Sequence, residues 1–191
     1  MDPVPRPWAR GRGVGATVPG PGPRAGGGQG SSVPGPARCR DDRRGLSAAQ
    51  VERARRWWKD VPGLSFLHAD VCDYLASNTA PYDAIYSVWG AVWFTDPEVL
   101  FPLLAKSLAP GGVFAFSQAE PSLGAYGPQP MRGKWLEGRE RELTVLRWQY
   151  PPEAWADLLK LHGFIGIEAQ VRPAPDAEGL GTLLVRAQRP G

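Results

Sequence analysis

Residues 83–90 read Asp-Ala-Ile-Tyr-Ser-Val-Trp-Gly, and residues 108–117 read Leu-Ala-Pro-Gly-Gly-Val-Phe-Ala-Phe-Ser. Asp83 precedes an apolar run, Ala84 to Val88, of the length of a strand buried on both faces. Asp96-Pro97 then places an acceptor at a helix N-cap with proline at the first helical position. Leu100, Leu103, Leu104 and Leu108 follow at helical spacing, against which Pro102 removes one backbone donor. Pro110-Gly111-Gly112 stops the helix, and Val113–Phe116 reads as a second buried strand. Strand, crossover helix and strand predict a parallel sheet, with ligands at the carboxyl ends of its strands.

Upstream of this unit, Ser47-Ala-Ala-Gln50 is a capping-box pattern, with Val51, Ala54, Arg55 and Trp58 on one helical face. That helix ends near Asp60, before Pro62-Gly63. Leu64–His68 reads as a strand ending at Ala69-Asp70, followed by a short helix around Cys72–Ala76. Downstream, residues 118–138 read as irregular and rich in Gly and Pro, and Glu142–Tyr150 as an added strand. Pro151-Pro-Glu153 opens a helix to about His162, which Gly163 ends. Phe164–Val171 and Thr182–Ala187 close the chain as two strands. No internal repeat is present.

Residues 1–44 are different. They contain no Leu, Ile, Phe, Tyr, Lys, Glu or His, and Gly, Pro and Arg dominate. A segment with so little to bury is predicted to be disordered. Its eight Arg and three Asp give +5, while the remainder, with 14 Lys+Arg against 16 Asp+Glu, gives −2. Basic charge with no aromatic beyond Trp8 is a poor nucleic-acid signature. Gly11-Arg-Gly13-Val-Gly15 has nucleotide-loop spacing, but no strand pattern precedes it, and Pro19, Pro21 and Pro23 forbid the helix that should follow. The two cysteines, Cys39 and Cys72, lack metal-ligand spacing, and no metal site is expected. No apolar stretch is long enough to span a membrane and no signal pattern opens the chain, so a reducing cytoplasm is the expected location.

In order and spacing, Asp83–Trp89 followed by Leu108-Ala-Pro-Gly-Gly-Val resembles the fourth and fifth strands of class I S-adenosylmethionine-dependent methyltransferases of the type 11 kind. The terminal helix, Gly-Phe turn and two strands are similar to the end of that fold, where the last strand runs antiparallel. The resemblance covers about residues 45–191. It implies an α/β, three-layer Rossmann-like fold with a mostly parallel sheet, a partial methyltransferase domain at 45–191, and a separate tail at 1–44. It implies S-adenosylmethionine as cofactor and methyl transfer to a small-molecule acceptor, with neither nucleic acid nor membrane as partner. Acceptor, methylated atom and oligomeric state are left open.

The family holds its cofactor with a glycine loop after the first strand, an acid ending the second strand, and residues after the third and fourth strands. Only the last group is matched. The resemblance implies cofactor contacts from Asp70, facing the adenine amine, from Val71 beside it, and from Ser87, Val88 and Trp89 near the sulfonium. Two plainer readings stay open: Asp70 caps the helix at Cys72, and Trp89 and Trp93 fill the core. Glu120 and Tyr126, after the fifth strand, stand where the family places acceptor contacts. No general base is assigned, since methyl transfer from a sulfonium mainly requires positioning and exclusion of water. His68 reads as structural, and His162 as a helix C-terminal residue.

Where the family has Gly-aliphatic-Asp before the helix at Ser47, this chain has Arg43-Arg44-Gly45. Codons CGG-CGT-GGA-CTC for Arg43 to Leu46 read Gly-Val-Asp when started one base later. A single missing base before Leu46 thus converts the acidic motif into Arg-Arg-Gly, and off-frame reading of GC-rich DNA yields the Gly/Pro/Arg/Ala bias of the tail. The expectation is a frameshift or false start, with a genuinely degenerate segment as its rival. Losing the ribose acid forfeits about 1.5–3 kcal/mol, and each neutral bond about 0.5–1.5. Together these amount to roughly a thousandfold in cofactor affinity. Impaired activity is expected, the alternative being a catalytically dead methyltransferase-like protein used for binding or dimerisation.

Overall fold

The computed structural model describes residues 16–19, 41–45, 48–61, 64–133, 143–176 and 179–191. Its first half holds β1 (Ala16–Pro19), β2 (Asp41–Gly45), α1 (Ala48–Trp57), β3 (Leu64–His68), α2 (Val71–Ser77) and β4 (Tyr82–Val88). Then come α3 (Ala91–Phe94), α4 (Pro97–Ser107), β5 (Leu108–Ala119), β6 (Gly127–Gly133) and β7 (Leu143–Gln149). The chain closes with α5 (Pro152–Leu161), β8 (Ile165–Arg172) and β9 (Thr182–Gln188).

The main sheet has seven strands in the order β3-β2-β1-β4-β5-β9-β8. β2 is parallel to β3, and β4 to β5. β1 is antiparallel to both β2 and β4, and β9 to both β5 and β8. Five strands, β2, β3, β4, β5 and β8, therefore run one way, and the expected mostly parallel sheet with an antiparallel last strand is found. From β2 to β3 the chain steps to one side, and from β4 to β5 to the other. Right-handed crossovers put α1 and α4 on opposite faces, which makes three layers.

The central unit follows its sequence signals. Asp96 caps α4 by accepting from the Glu98 N–H at 3.0 Å, with Pro97 next and Pro102 inside the helix. The Pro-Gly-Gly stretch is part of β5, which starts directly after α4. β4 and β5 shift register there, Tyr82 facing Leu108 and Ala84 facing Val113. Gly111 sits at φ 75°, and a Cβ on Gly112 would come within 2.8 Å of the Ala109 carbonyl and 3.1 Å of the Tyr82 carbonyl. Both glycines are thus required by the backbone. The core lies between this sheet and α2, α4 and α5. Phe101 is fully buried and packs its ring against Phe114, Trp155 and Phe164.

Two differences from the sequence expectations concern strands. Ala16–Pro19 and Asp41–Gly45 are strands, where composition predicts no regular structure. The other positions of the tail lie outside the described residues. Main-chain pairing asks nothing of side chains, and without these segments β3 and β4 would face each other across unpaired edges. Second, the stretch read as irregular contains β6, which pairs with β7 as a separate two-stranded sheet. Pro128 and Pro130 hid it, since proline is tolerated only on an edge such as this one.

On the α1 side of the sheet, α1 packs on β2 and β3. A groove of about 300 Å³ crosses β4, β5, β9 and β8. Val88 and Leu184 are exposed on its floor, and Arg186 meets Glu168 at 3.8 Å on its far side.

Candidate functional site

The strand order reverses direction between β1 and β4, the place where open α/β sheets bind ligands at their carboxyl ends. Three residues named from the sequence sit together at the end of β4. Ser87 is buried, and its Oγ faces the Val92 N–H at 3.4 Å. Val88 and Trp89 are exposed. Trp89 has φ 49°, and among the described residues it is the only non-glycine with positive φ. That conformation costs about 1–3 kcal/mol and turns the chain sharply off the strand end. Its N–H donates to the Ser117 carbonyl at 2.8 Å, tying β4 to β5.

Asp70 lies three strand steps away at the end of β3, about 14 Å across the sheet at roughly 4.8 Å per strand. It is the N-cap of α2, and its Oδ1 accepts from Cys72 N–H at 2.8 Å and Asp73 N–H at 3.2 Å. The capping reading of Asp70 is therefore realised through one oxygen. Val71 opens α2 and packs partly buried against the core. Burial, with Asp70 and Asp73 nearby, pushes the Cys72 thiol up from its ordinary range.

Between these two groups, β2 ends at Gly45, opposite His68. The acids of β2 are Asp41 and Asp42, at its other end, Asp41 facing Leu64 at the start of β3. Asp42 is three residue steps from Gly45, about 10 Å along the strand. β1 adds a second departure. Because it runs backwards, Ala16 faces Ser87 at the carboxyl end of β4, and Pro19 faces Asp41 at the amino end of β2. β1 therefore ends, at Pro19, at the edge of the sheet opposite the end of β4.

The two acceptor candidates are not drawn together by any contact. Glu120 donates its backbone N–H to the Gly181 carbonyl at 2.9 Å. Its carboxylate occupies the space where a Gly181 Cβ would stand, 2.6 Å from that point. It therefore lies on the β9 side of β5, away from β4. Tyr126 is exposed in the loop before β6, with its carbonyl accepting from Gln129 Nε2 at 3.0 Å.

A cluster not foreseen from sequence gathers over the ends of β4 and β5. Trp93 of α3 is 9% exposed and meets Trp89 edge-on at 5.3 Å between ring centroids. The guanidinium of Arg147, from β7, lies 5.7 Å from the Trp93 ring centre. Gln118, near the end of β5, is fully buried and reaches the Trp148 carbonyl with Nε2 at 3.4 Å. Arg147 was not singled out because its partner contacts depend on the β6–β7 hairpin, which the Pro/Gly composition masks. Among the described residues no group of three or more His, Cys, Asp or Glu could hold a metal ion. No described helix is long and apolar enough to cross a membrane.

Residues 43–116 match a family of methyltransferase domains. No curated protein matches. Among solved structures, a Burkholderia thailandensis 1,6-didemethyltoxoflavin-N1-methyltransferase with bound 1,6-didemethyltoxoflavin and S-adenosylhomocysteine is 19% identical, with a TM-score of 0.52 over 78% of this chain. The chain spans 60% of that protein's length. The glycopeptide N-methyltransferase MtfA complexed with S-adenosyl-L-methionine is 18% identical, with a TM-score of 0.52 over 77% of this chain and 76% of that one. The N-methyltransferase NodS from Bradyrhizobium japonicum is 18% identical, with a TM-score of 0.52 over 78% and 72% of the two chains.

Proposed function

We propose that this chain, which belongs to the class I S-adenosylmethionine-dependent methyltransferase family through residues 43–116, is built for methyl transfer to a small-molecule acceptor and binds its cofactor weakly. The observation that carries the reading is the carboxyl edge of the sheet. Asp70 and the Ser87–Trp89 corner stand about 14 Å apart along that edge, at strand ends three steps apart, and Gly45 stands between them. The ends fit an extended nucleoside amino acid, while the middle, where the ribose acid belongs, does not.

The residues present have definite parts to play. Asp70 keeps its Oδ1 on the α2 amides, which leaves its other oxygen to accept from an adenine amine. Val71 offers its backbone beside it. Ser87, Val88 and Trp89 shape the end at which the acceptor meets the cofactor, and Trp89 and Trp93 exclude water there. When bound, S-adenosylmethionine supplies an electrophilic methyl group. The protein's contribution is then orientation and desolvation, and no base is needed if the acceptor atom carries a free lone pair.

A second reading, a methyltransferase-like protein that binds without catalysis, is favoured by the same Gly45 and by the direction of β1. A frameshift upstream of Leu46 accounts for both features, and a cytoplasmic setting accords with the composition. The test is methyl release from radiolabelled S-adenosylmethionine to a panel of small amines and phenols, with this chain and with one in which the codons before Leu46 are read in the alternative frame. Activity confined to the reframed chain supports impaired methyl transfer. Inactivity of both supports the binding protein.

A further inference from the structure

We infer that Arg147 and Trp93 form a carboxylate-binding site at the carboxyl ends of β4 and β5, and that it anchors an aromatic or otherwise planar carboxylate. Calling that ligand the methyl acceptor rests on the methyl-transfer reading; the binding site itself does not. Arg147 is half-buried, its Nε is fully buried without an acceptor, and among the described residues no carboxylate pairs with it. Its Nη1 has only the Met131 sulfur, at 3.9 Å. Shutting one guanidinium N–H off from water with no acceptor is costly, and a ligand carboxylate with its two oxygens matches the guanidinium fork.

Independent observations place polar demand and an aromatic wall at the same spot. The Trp93 Nε1 is buried with no acceptor, and its ring, 9% exposed, is the surface over which the guanidinium lies. Gln118 is fully buried, and its Oε1 accepts from nothing. Its Nε2 is directed to the carbonyl of Trp148, the residue next to Arg147. Two unsatisfied donors belong to Trp93 and Arg147, whose ring and guanidinium meet where α3 packs on β7, and the unsatisfied acceptor belongs to Gln118, which is tied to the neighbouring Trp148 carbonyl. Native proteins rarely leave such groups unpaired, and each calls for a partner. Among the described residues Arg147 is the cation at this spot, and with the wall of Trp89 and Trp93 it favours a monoanion on a flat apolar body. A phosphate dianion would call for more positive charge.

The test uses the full chain without cofactor, titrated with benzoate, benzamide and phenyl phosphate. Binding is read from the indole N–H resonance of Trp93, assigned with Trp93→Phe. Benzoate should bind about tenfold or more tighter than benzamide, as a charge-assisted pair requires, and should move the Trp93 resonance. Arg147→Met should abolish that preference, and Arg147→Lys, which keeps the charge but loses the fork, should weaken it. Equal affinity for benzoate and benzamide, no binding of either, or preference for phenyl phosphate would overturn the assignment. So would an unchanged preference in Arg147→Met. Because no cofactor is present, failure of methyl transfer leaves this result untouched, and should Arg147→Met not fold, the wild-type ratio and Arg147→Lys still decide.

Discussion

Gly45 faces His68 at the carboxyl edge of the parallel pair β2–β3, so the strand end that should carry a ribose-binding acid carries no side chain. Restoring an acid there is the direct structural test of that relationship. Gly45→Asp should tighten S-adenosylmethionine binding by about tenfold, the value of one charged hydrogen bond. An unchanged affinity by calorimetry would mean that the end of β2 does not face the cofactor.

Asp70 caps α2, and the proposed function gives it a second role against the adenine amine. Asp70→Asn keeps an amide oxygen for the Cys72 and Asp73 N–H groups and should leave the melting temperature nearly unchanged. The same change puts a donor toward the adenine amine and should raise the cofactor dissociation constant roughly ten- to hundredfold. In any chain with measurable turnover, KM for the cofactor should rise with kcat little altered, because ground and transition states lose the same contact. Asp70→Ala removes the cap as well and should cost about 1 kcal/mol of stability. Unchanged cofactor affinity in Asp70→Asn would leave Asp70 as a cap alone.

Cys72 reports on the same corner. Burial first, then Asp70 and Asp73, hold its thiol in the protonated form to higher pH than a free thiol. Only the thiolate reacts, so iodoacetamide labelling should be slow at pH 7 and rise only at pH above the ordinary thiol range. The raised value also means that the thiol stabilises the fold below the unfolded-state pKa, and that this contribution is lost as pH rises through the folded one. Asp73→Asn should shift the labelling profile to lower pH. A profile coincident with that of a model thiol would contradict this.

Phe101 is the centre of the aromatic core between α4, β5 and α5. Phe101→Ala should destabilise by about 3–5 kcal/mol in urea unfolding, as removal of a fully buried aromatic does. A loss below about 1 kcal/mol would show that the site collapses to fill the space.

Much of the fold is legible in the chain from Leu64 onward. β3 coincides with its predicted span, and Asp96-Pro97 caps α4 as its residues dictate. Gly163, at φ 81°, ends the last helix. These are local signals, each carried by a cap, a turn glycine or a short apolar run. What escaped depends on tertiary pairing. β1 and β2 are set by their pairing with neighbouring strands. β6 exists because β7 pairs with it, despite two prolines. α3 is a four-residue turn of helix with no cap of its own. At the site, sequence could name the strand-end residues Asp70 and Ser87–Trp89. It could not bring Arg147 to Trp93, since that contact joins elements more than fifty positions apart. Glu120, named as an acceptor candidate, packs against Gly181 on the β9 side of β5.

On the proposed reading, the sheet edge keeps Asp70 and the Ser87–Trp89 corner for the two ends of the cofactor and has Gly45 where the ribose acid belongs. Isothermal titration of the full chain with S-adenosylmethionine tests it most directly. The predicted dissociation constant is about a millimolar, and no tighter than roughly 100 µM, given the loss of one charged and one or two neutral hydrogen bonds. A low-micromolar constant would contradict the account, because it would require a ribose and methionine clamp that neither Gly45 nor the reversed β1 provides.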